Sequence, residues 1–303
     1  MSMDRRTFVK QSALAASAFL APPMFPVYKG DKKLCFSTLG CPDWSFDEIL
    51  SFAAKHKYQG IEVRTIQREL DLTKVPAFMG AAVKETIRKL KDKNIKLVDL
   101  GASAAMHYSD PQTRKKNLDD AKKYIDLAAK LECPYVRVFP NNLPKDKSRQ
   151  ETLDLIVSGL NELATYAKNS PVKVLMETHG DVVYKKDLMY IMENVDGNKV
   201  ALIWDVLNSW SVTKESPTEI YAGISKYVHH VHLKDGVVKD GKVQYTLFGK
   251  GEAPIREAVQ LLYKNNFKGF YSFEWEKLWH PEIEAPEVAL ALYPNEVLSY
   301  FGD

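Results

Sequence analysis

VKVLME at 172–177, VALIWD at 200–205, VHHVH at 228–232 and FYSFE at 270–274 are four short apolar runs. Each ends on a side chain able to hold a metal: Glu177, Asp205, His232 and Glu274. Runs of this length, rich in β-branched and aromatic residues, read as buried strands. A buried charge needs a partner, so a strand that ends on one needs a reason. Four consecutive strands ending Glu, Asp, His, Glu point to one shared centre. Three carboxylates and one imidazole form a hard, oxygen-rich donor set. It suits Mn²⁺, Mg²⁺, Co²⁺ or Zn²⁺ rather than a sulfur-bound metal.

The rest of the chain repeats the same unit. LCFSTL (34–39), GIEVR (60–64), IKLVDLG (95–101) and YVRVF (135–139) read as four earlier strands. Helical periodicity fills 44–56, 77–93, 112–131 and 148–168, and returns at 185–193, 217–225, 255–265 and 286–301. Ser45, with Glu48 three residues on, is a capping-box signature for the first helix. Eight strand–helix units without a break in composition indicate one α/β domain, a (β/α)8 TIM barrel over 33–301. No GxGxxG follows the first strand, which disfavours a dinucleotide-binding sheet. A barrel of this kind carries its active site at the C-terminal ends of its strands. Glu177, Asp205, His232 and Glu274, each at the end of its strand, therefore fall on that one face.

With 45% hydrophobic and 27% charged residues in 303, the chain can bury a sizeable core. Part of the net charge of +3 sits at the start, where Arg5, Arg6 and Lys10 outnumber Asp4. The remainder is near neutral and has no electrostatic footprint for nucleic acid. DRRTFVK followed by SALAASAFLA is a basic stretch and a short apolar run. It reads as a twin-arginine-type export signal and linker over 1–27, which directs the protein to the periplasm. An amphipathic N-terminal helix is the plainer alternative. Ala16-Ser17-Ala18 and the prolines at 22 and 23 put cleavage after Ala18 or Ala21. No Cys follows the apolar run and no other stretch is apolar enough to span a bilayer, so no stable membrane anchor is expected. Cys35, Cys41 and Cys133 lack a zinc spacing, and their odd number argues against a disulfide framework.

For each candidate ligand alone, a buried salt bridge or a hydrogen-bonded core group is the more frequent explanation. Their convergence favours a metal. His230 shares the strand parity of His232 and would lie one layer deeper, as a partner to the ligand. Glu276, just beyond Glu274 and of the same parity, is the alternative to it.

The order of short motifs is more specific than any one of them. It runs Gly60-Ile61-Glu62-Val63-Arg64, Met176-Glu177-Thr178-His179, Trp204-Asp205-Val206-Leu207-Asn208, His230-Val231-His232-Leu233-Lys234-Asp235, Gly249-Lys250-Gly251 and Ser272-Phe273-Glu274. On these residues the chain resembles the sugar phosphate isomerase/epimerase superfamily, the xylose isomerase-like TIM barrels. It is similar in motif order to ketose 3-epimerases, inosose isomerases and dehydratases, and endonuclease IV. The resemblance spans residues 33–301. It implies one divalent metal ion (Mn, Co, Zn or Mg) held by Glu177, Asp205, His232 and Glu274. It also implies that Glu177 and Glu274 act as acid and base on opposite faces of the substrate. Chelation of a carbonyl and its neighbouring hydroxyl acidifies the intervening C–H and stabilises an enediolate, which two carboxylates can protonate and deprotonate.

The implied activity is therefore a metal-dependent sugar isomerase or epimerase. A lyase that eliminates a substituent from a 3-keto sugar or glycoside begins with the same proton abstraction and is the alternative. A non-catalytic sugar-binding or partner subunit is more distant, since it would not need both glutamates. A DNA-repair endonuclease needs three zinc ions and a basic surface, for which His107 and Glu62 fall short. The partners expected are small sugars or keto sugars, with no nucleic acid; a homo-oligomer is compatible with the sequence.

The sequence also departs from the ketose 3-epimerases. They carry His where Asn208 stands, and Arg beyond the histidine of the seventh strand, where Lys234 and Asp235 come first. Lys234 reads either as a cation aimed at a developing oxyanion or as half of a rim salt bridge with Asp235 or Glu276. Glu62, His107, His179, Asn208, Lys234 and Trp44 are the candidates to bind substrate. Each has a structural alternative: Glu62 can pair with Arg64, His179 can cap a loop, and Trp44 can anchor core. Gly249-Lys250-Gly251 precedes a helix where such barrels often hold phosphate, but Gly-rich turns are common.

Overall fold

Alternation turns one face of each apolar strand toward the helices and the other toward the barrel axis. The strands of the barrel are β1 (Leu34–Ser37), β2 (Gly60–Val63), β3 (Lys96–Ala105), β4 (Tyr135–Phe139), β5 (Lys173–Glu177), β6 (Val200–Asp205), β7 (Val228–Leu233) and β10 (Tyr271–Phe273). In the computed structural model, which describes residues 32–301, they pair in parallel and close in the order β1-β10-β7-β6-β5-β4-β3-β2. The export segment expected at 1–27 lies outside the described residues. The helices are α1 (Phe46–Lys55), α2 (Ala82–Asp92), α3 (Pro111–Lys130), α4 (Arg149–Tyr166), α5 (Lys185–Glu193), α6 (Val206–Thr213), α7 (Pro217–Ile224), α8 (Ile255–Lys264) and α9 (Pro286–Ser299). None is long and apolar enough to cross a membrane.

Local sequence explains most boundaries. The Ser45 capping box forms: Ser45 Oγ accepts from the Glu48 amide at 3.3 Å, and Glu48 Oε2 accepts from the Ser45 amide at 2.7 Å. Helix α2 starts at Ala82 rather than at 77, because Pro76–Phe78 makes a separate 3-10 turn opened by its proline. Two elements are additional to the eight-unit pattern. Helix α6 springs directly from β6. A hairpin of β8 (Asp235–Lys239) and β9 (Lys242–Thr246) follows β7. Its turn residues Asp240 and Gly241 have φ of 50° and 73°, as a type I′ turn requires.

Two apolar regions result. The main core lies between the outer faces of the strands and the helices, where Phe36 meets Phe52 and Tyr58, and Phe273 stacks on Tyr293 at 4.7 Å. Inside the barrel, Leu175, Ala201 and Ile203 form a small separate floor beside Tyr135. The inner lining above that floor is polar. Cys35, Cys41 and Cys133 are buried and unbridged.

Candidate metal centre

Strand register gathers the four strand-ending residues. Asp205 pairs with His232, and His232 with Ser272, two residues before Glu274. Glu177 pairs with Ile203, two residues before Asp205. A period of two therefore turns all four side chains to the barrel axis. One donor atom from each of Glu177, Asp205, His232 and Glu274 lies within 4.8 Å of the others, and all four residues are buried.

His232 is held from below and faces the carboxylates above. Its Nε2 lies 2.8 Å from Glu62 Oε2, while Nδ1 lies 3.2 Å from Glu177 Oε1 and 3.3 Å from Glu274 Oε2. Burial alone would lower the imidazole pKa, but Glu274, Glu62 and Glu177 outweigh it and hold it well above the usual value. Glu62 accepts from both rings, with His230 Nε2 at 3.1 Å and the Ser272 hydroxyl at 3.3 Å. Burial would raise the Glu62 carboxyl, but the two histidines hold it well below the ordinary range. A carboxylate behind a ligating imidazole fixes both its tautomer and its orientation.

Asp205 serves two purposes. It is the N-cap of α6, where Oδ1 accepts the Asn208 amide at 2.8 Å. Its other oxygen turns inward. Burial raises its carboxyl to about 7, despite the opposing charge of Lys234. The Thr178 hydroxyl accepts from the Asp205 amide at 2.8 Å and locks the end of β5 to that of β6. Arg137 on β4 places Nε 3.4 Å from Glu177 Oε2 and stacks its guanidinium 3.8 Å over the Phe139 ring. Gly101 makes room for it, since a Cβ there would come within 2.8 Å of Arg137 Nη2.

Lys234 enters the same cluster. Its ammonium donates to Glu274 Oε2 and Glu276 Oε1, both at 2.6 Å, and lies 2.8 Å from Asp205 Oδ2. Burial would raise Glu274, but His232 and Lys234 hold its carboxyl well below the usual range.

The donors fit a divalent ion. Glu177 Oε2 is buried and accepts no hydrogen bond, and Asp205 Oδ2 lacks a well-aligned one. Their partners are ion pairs, Arg137 Nε at 3.4 Å and Lys234 Nζ at 2.8 Å, so both oxygens keep lone pairs that a cation can take up in a dry interior. Ligands about 2.0–2.2 Å from an ion stand about 3–4 Å apart, which the observed spread accommodates. Hard oxygens with one imidazole suit Mn, Mg, Co or Zn.

The other candidates are distributed differently. Glu62 is fully buried beneath His232 and does not pair with Arg64, which donates to the Ser103 hydroxyl at 2.8 Å. Asn208 directs its side-chain amide to the Thr178 carbonyl at 3.3 Å and braces the loop. Trp44 packs against Phe52 at 4.8 Å and lines a surface groove with Lys55 and Glu287, away from the centre. His107 lies against the Tyr108 ring at 4.1 Å, tilted by 35°, and His179 Nδ1 meets Asn141 Oδ1 at 3.0 Å; both follow strand ends on the barrel's C-terminal face. Lys234 does not pair with Asp235, whose carboxylate accepts the amides of Gly236, Gly249 and Gly251 at 2.8–3.0 Å. Those Gly-rich amides thus already have an internal anion, and a phosphate would have to displace it.

Sequence patterning does not single out Arg137, Thr178 or Asp99. Arg137 and Asp99 stand in the middle of apolar strands, YVRVF and IKLVDLG, and that interruption is the signal that marks them. Both Asp99 oxygens are buried without a hydrogen bond, and burial together with nearby Glu62 pushes its carboxyl well above the usual value.

The comparisons agree with this architecture. The sequence profile of xylose isomerase-like TIM barrels matches residues 50–293. Among solved structures, an IOLI protein with a bound zinc atom is 18% identical with a TM-score of 0.75, covering 89% of this chain and 98% of its own. The probable 3-DHS dehydratase AsbF of Bacillus anthracis is 17% identical with a TM-score of 0.71, covering 88% and 98%. The 3-keto-D-glucoside 4-epimerase YcjR of E. coli is 14% identical with a TM-score of 0.68, covering 89% and 99%. No curated protein matches the sequence significantly. With a profile match over most of its length and a barrel closed in the same manner, the chain belongs to the xylose isomerase-like TIM-barrel family.

Proposed function

We propose that this chain is a divalent-metal-dependent sugar isomerase or epimerase in which Glu177 and Glu274 exchange protons with a carbon beside a carbonyl. One observation carries the reading. The two glutamates come from strands on opposite sides of β7, and both converge on His232 Nδ1, at 3.2 and 3.3 Å. Glu177, Asp205, His232 and Glu274 would hold the ion, which would supply a Lewis acid to acidify the C–H beside a carbonyl. Glu177, braced by Arg137, removes the acidified proton. Glu274 returns a proton to the opposite face of the same carbon, which inverts the stereocentre; a proton delivered instead to the former carbonyl carbon, with the hydroxyl proton passing between the two oxygens, moves the carbonyl. Burial of both carboxylates keeps bulk water from the enediolate.

A related epimerase acts on a 3-keto-glucoside, by its name, and supports a keto sugar or glycoside as substrate. Elimination is the second reading. It is favoured by Glu276, a further carboxyl 2.6 Å from Lys234, which can protonate a departing group. The N-terminal Arg5-Arg6 segment supports work in the periplasm.

The test is incubation of the metal-loaded protein with keto sugars in deuterated water. Exchange of the C–H beside the carbonyl is expected, and loss of a substituent would mark the elimination. Turnover without any exchange would indicate hydride transfer and sink the proton-abstraction mechanism.

A further inference from the structure

Lys234 shares donors with the proposed metal. Its Nζ lies 2.8 Å from Asp205 Oδ2 and 2.6 Å from Glu274 Oε2, and these residues supply two of the four donor groups. Its third partner, Glu276 Oε1 at 2.6 Å, belongs to no donor set. The side chain is 3% exposed, so water does not solvate the ammonium in its place. The remaining charges are already committed. Arg137 and His232 face Glu177, and the Asp235 carboxylate is taken up by three backbone amides.

An ammonium and a divalent ion repel strongly at contact distance in a site this dry, so they cannot hold the same oxygens together. Lysine carries its charge on a flexible four-carbon stem and can swing where an arginine fork could not. Glu276 lies two residues beyond Glu274, toward the rim, and offers the ammonium a place to stay.

We propose that Lys234 is a tethered counter-cation that competes with the divalent ion for Asp205 and Glu274, and that Glu276 retains the ammonium when the ion takes them. The inference rests on the metal-centre reading above. It assigns opposite signs to two substitutions in one salt-bridge cluster. Lys234→Met removes the competitor and tightens metal binding. Glu276→Gln removes the retaining acceptor, leaves the ammonium on the donor groups and weakens binding. In the double variant the Glu276 effect disappears, because no ammonium remains to be retained. A lysine that merely held the cage in shape would weaken binding when removed.

The experiment is titration of Mn²⁺ into the chelator-stripped protein, wild type beside Lys234→Met, Glu276→Gln and the double variant. Lys234→Met is expected to bind about tenfold more tightly, Glu276→Gln about tenfold more weakly, and the double variant like Lys234→Met. Unchanged or weaker binding by Lys234→Met, with wild type binding normally, overturns this inference alone. So does a Glu276→Gln loss that persists undiminished in the double variant. Absence of Mn²⁺ binding in every form overturns it together with the metal centre. Should Lys234→Met fail to fold, crystal structures of the wild type with and without Mn²⁺ decide. Nζ kept on Glu276 and withdrawn from Asp205 and Glu274 supports the competition. Nζ still bonded to both beside the ion refutes it.

Discussion

Glu62 Oε2 lies 2.8 Å from His232 Nε2, and that contact decides which imidazole nitrogen faces the carboxylates above it. A carboxylate accepts and does not donate, so Nε2 keeps its proton toward Glu62, and Nδ1, which faces Glu177 and Glu274, is the nitrogen that would give up its proton to ligate. The two residues are 170 positions apart and meet because β2 and β7 line the same barrel.

Replacing Glu62 by Gln leaves the shape and removes the charge behind the imidazole. Metal affinity is expected to fall by about 10–100-fold, the usual effect of losing such a partner. Mn²⁺ titration measures it. Unchanged affinity would mean that β7 alone orients the ring.

Chelation should destabilise the folded chain. An ion that binds only the native state at 100 times its Kd adds about 2.7 kcal/mol, or about 5 °C in Tm for a domain of this size. Thermal melts with EDTA, and after readdition of Mn²⁺, test this. His232→Ala should show no shift, because it lacks the nitrogen at the centre of the cluster.

Glu177→Gln and Glu274→Gln should each reduce turnover by about 10²–10⁴-fold, the range for loss of a positioned acid or base. Each glutamine keeps an oxygen donor, so both proteins should still bind some metal. Near-normal turnover in either variant would refute its acid–base role.

Asn208→Ala is expected to cost about 1 kcal/mol in urea unfolding, from loss of one hydrogen bond to the Thr178 carbonyl. The backbone amide that holds Asp205 remains, so KM should not move. A change in KM with stability intact would return Asn208 to the substrate pocket.

Lys-Lys in place of Arg5-Arg6 should leave the precursor in the cytoplasm, followed by fractionation and N-terminal analysis. Undiminished export would remove the twin-arginine reading.

Strand ends were legible because a short apolar run that stops on Glu, Asp or His has both a recognisable period and an anomalous terminus. The β8–β9 hairpin was not read from the sequence, although Asp240-Gly241 between valine-containing segments is a turn signal that could have marked it. Lys234 was legible only as a choice between two roles; the structure shows its ion pair with Glu276 and adds Asp205 and Glu274. Parity says that a side chain faces inward, but not whether its reach ends on a neighbouring carboxylate or at the rim. Trp44 and Asn208 show the converse limit. Trp44 lies on a loop, which carries no period, and Asn208 lies in α6, a helix outside the eight-unit pattern; a nearby ring holds the one and a carbonyl the other.

By itself, the sequence determined the barrel and which acidic and imidazole side chains end its later strands, since these follow from periodicity and residue chemistry. Tertiary structure alone decided that Glu62 reaches under His232, that Arg137 braces Glu177, and that Lys234 shares Asp205 and Glu274. Those pairings join strands distant in the chain, and barrel closure and register set them, through distances no local pattern encodes.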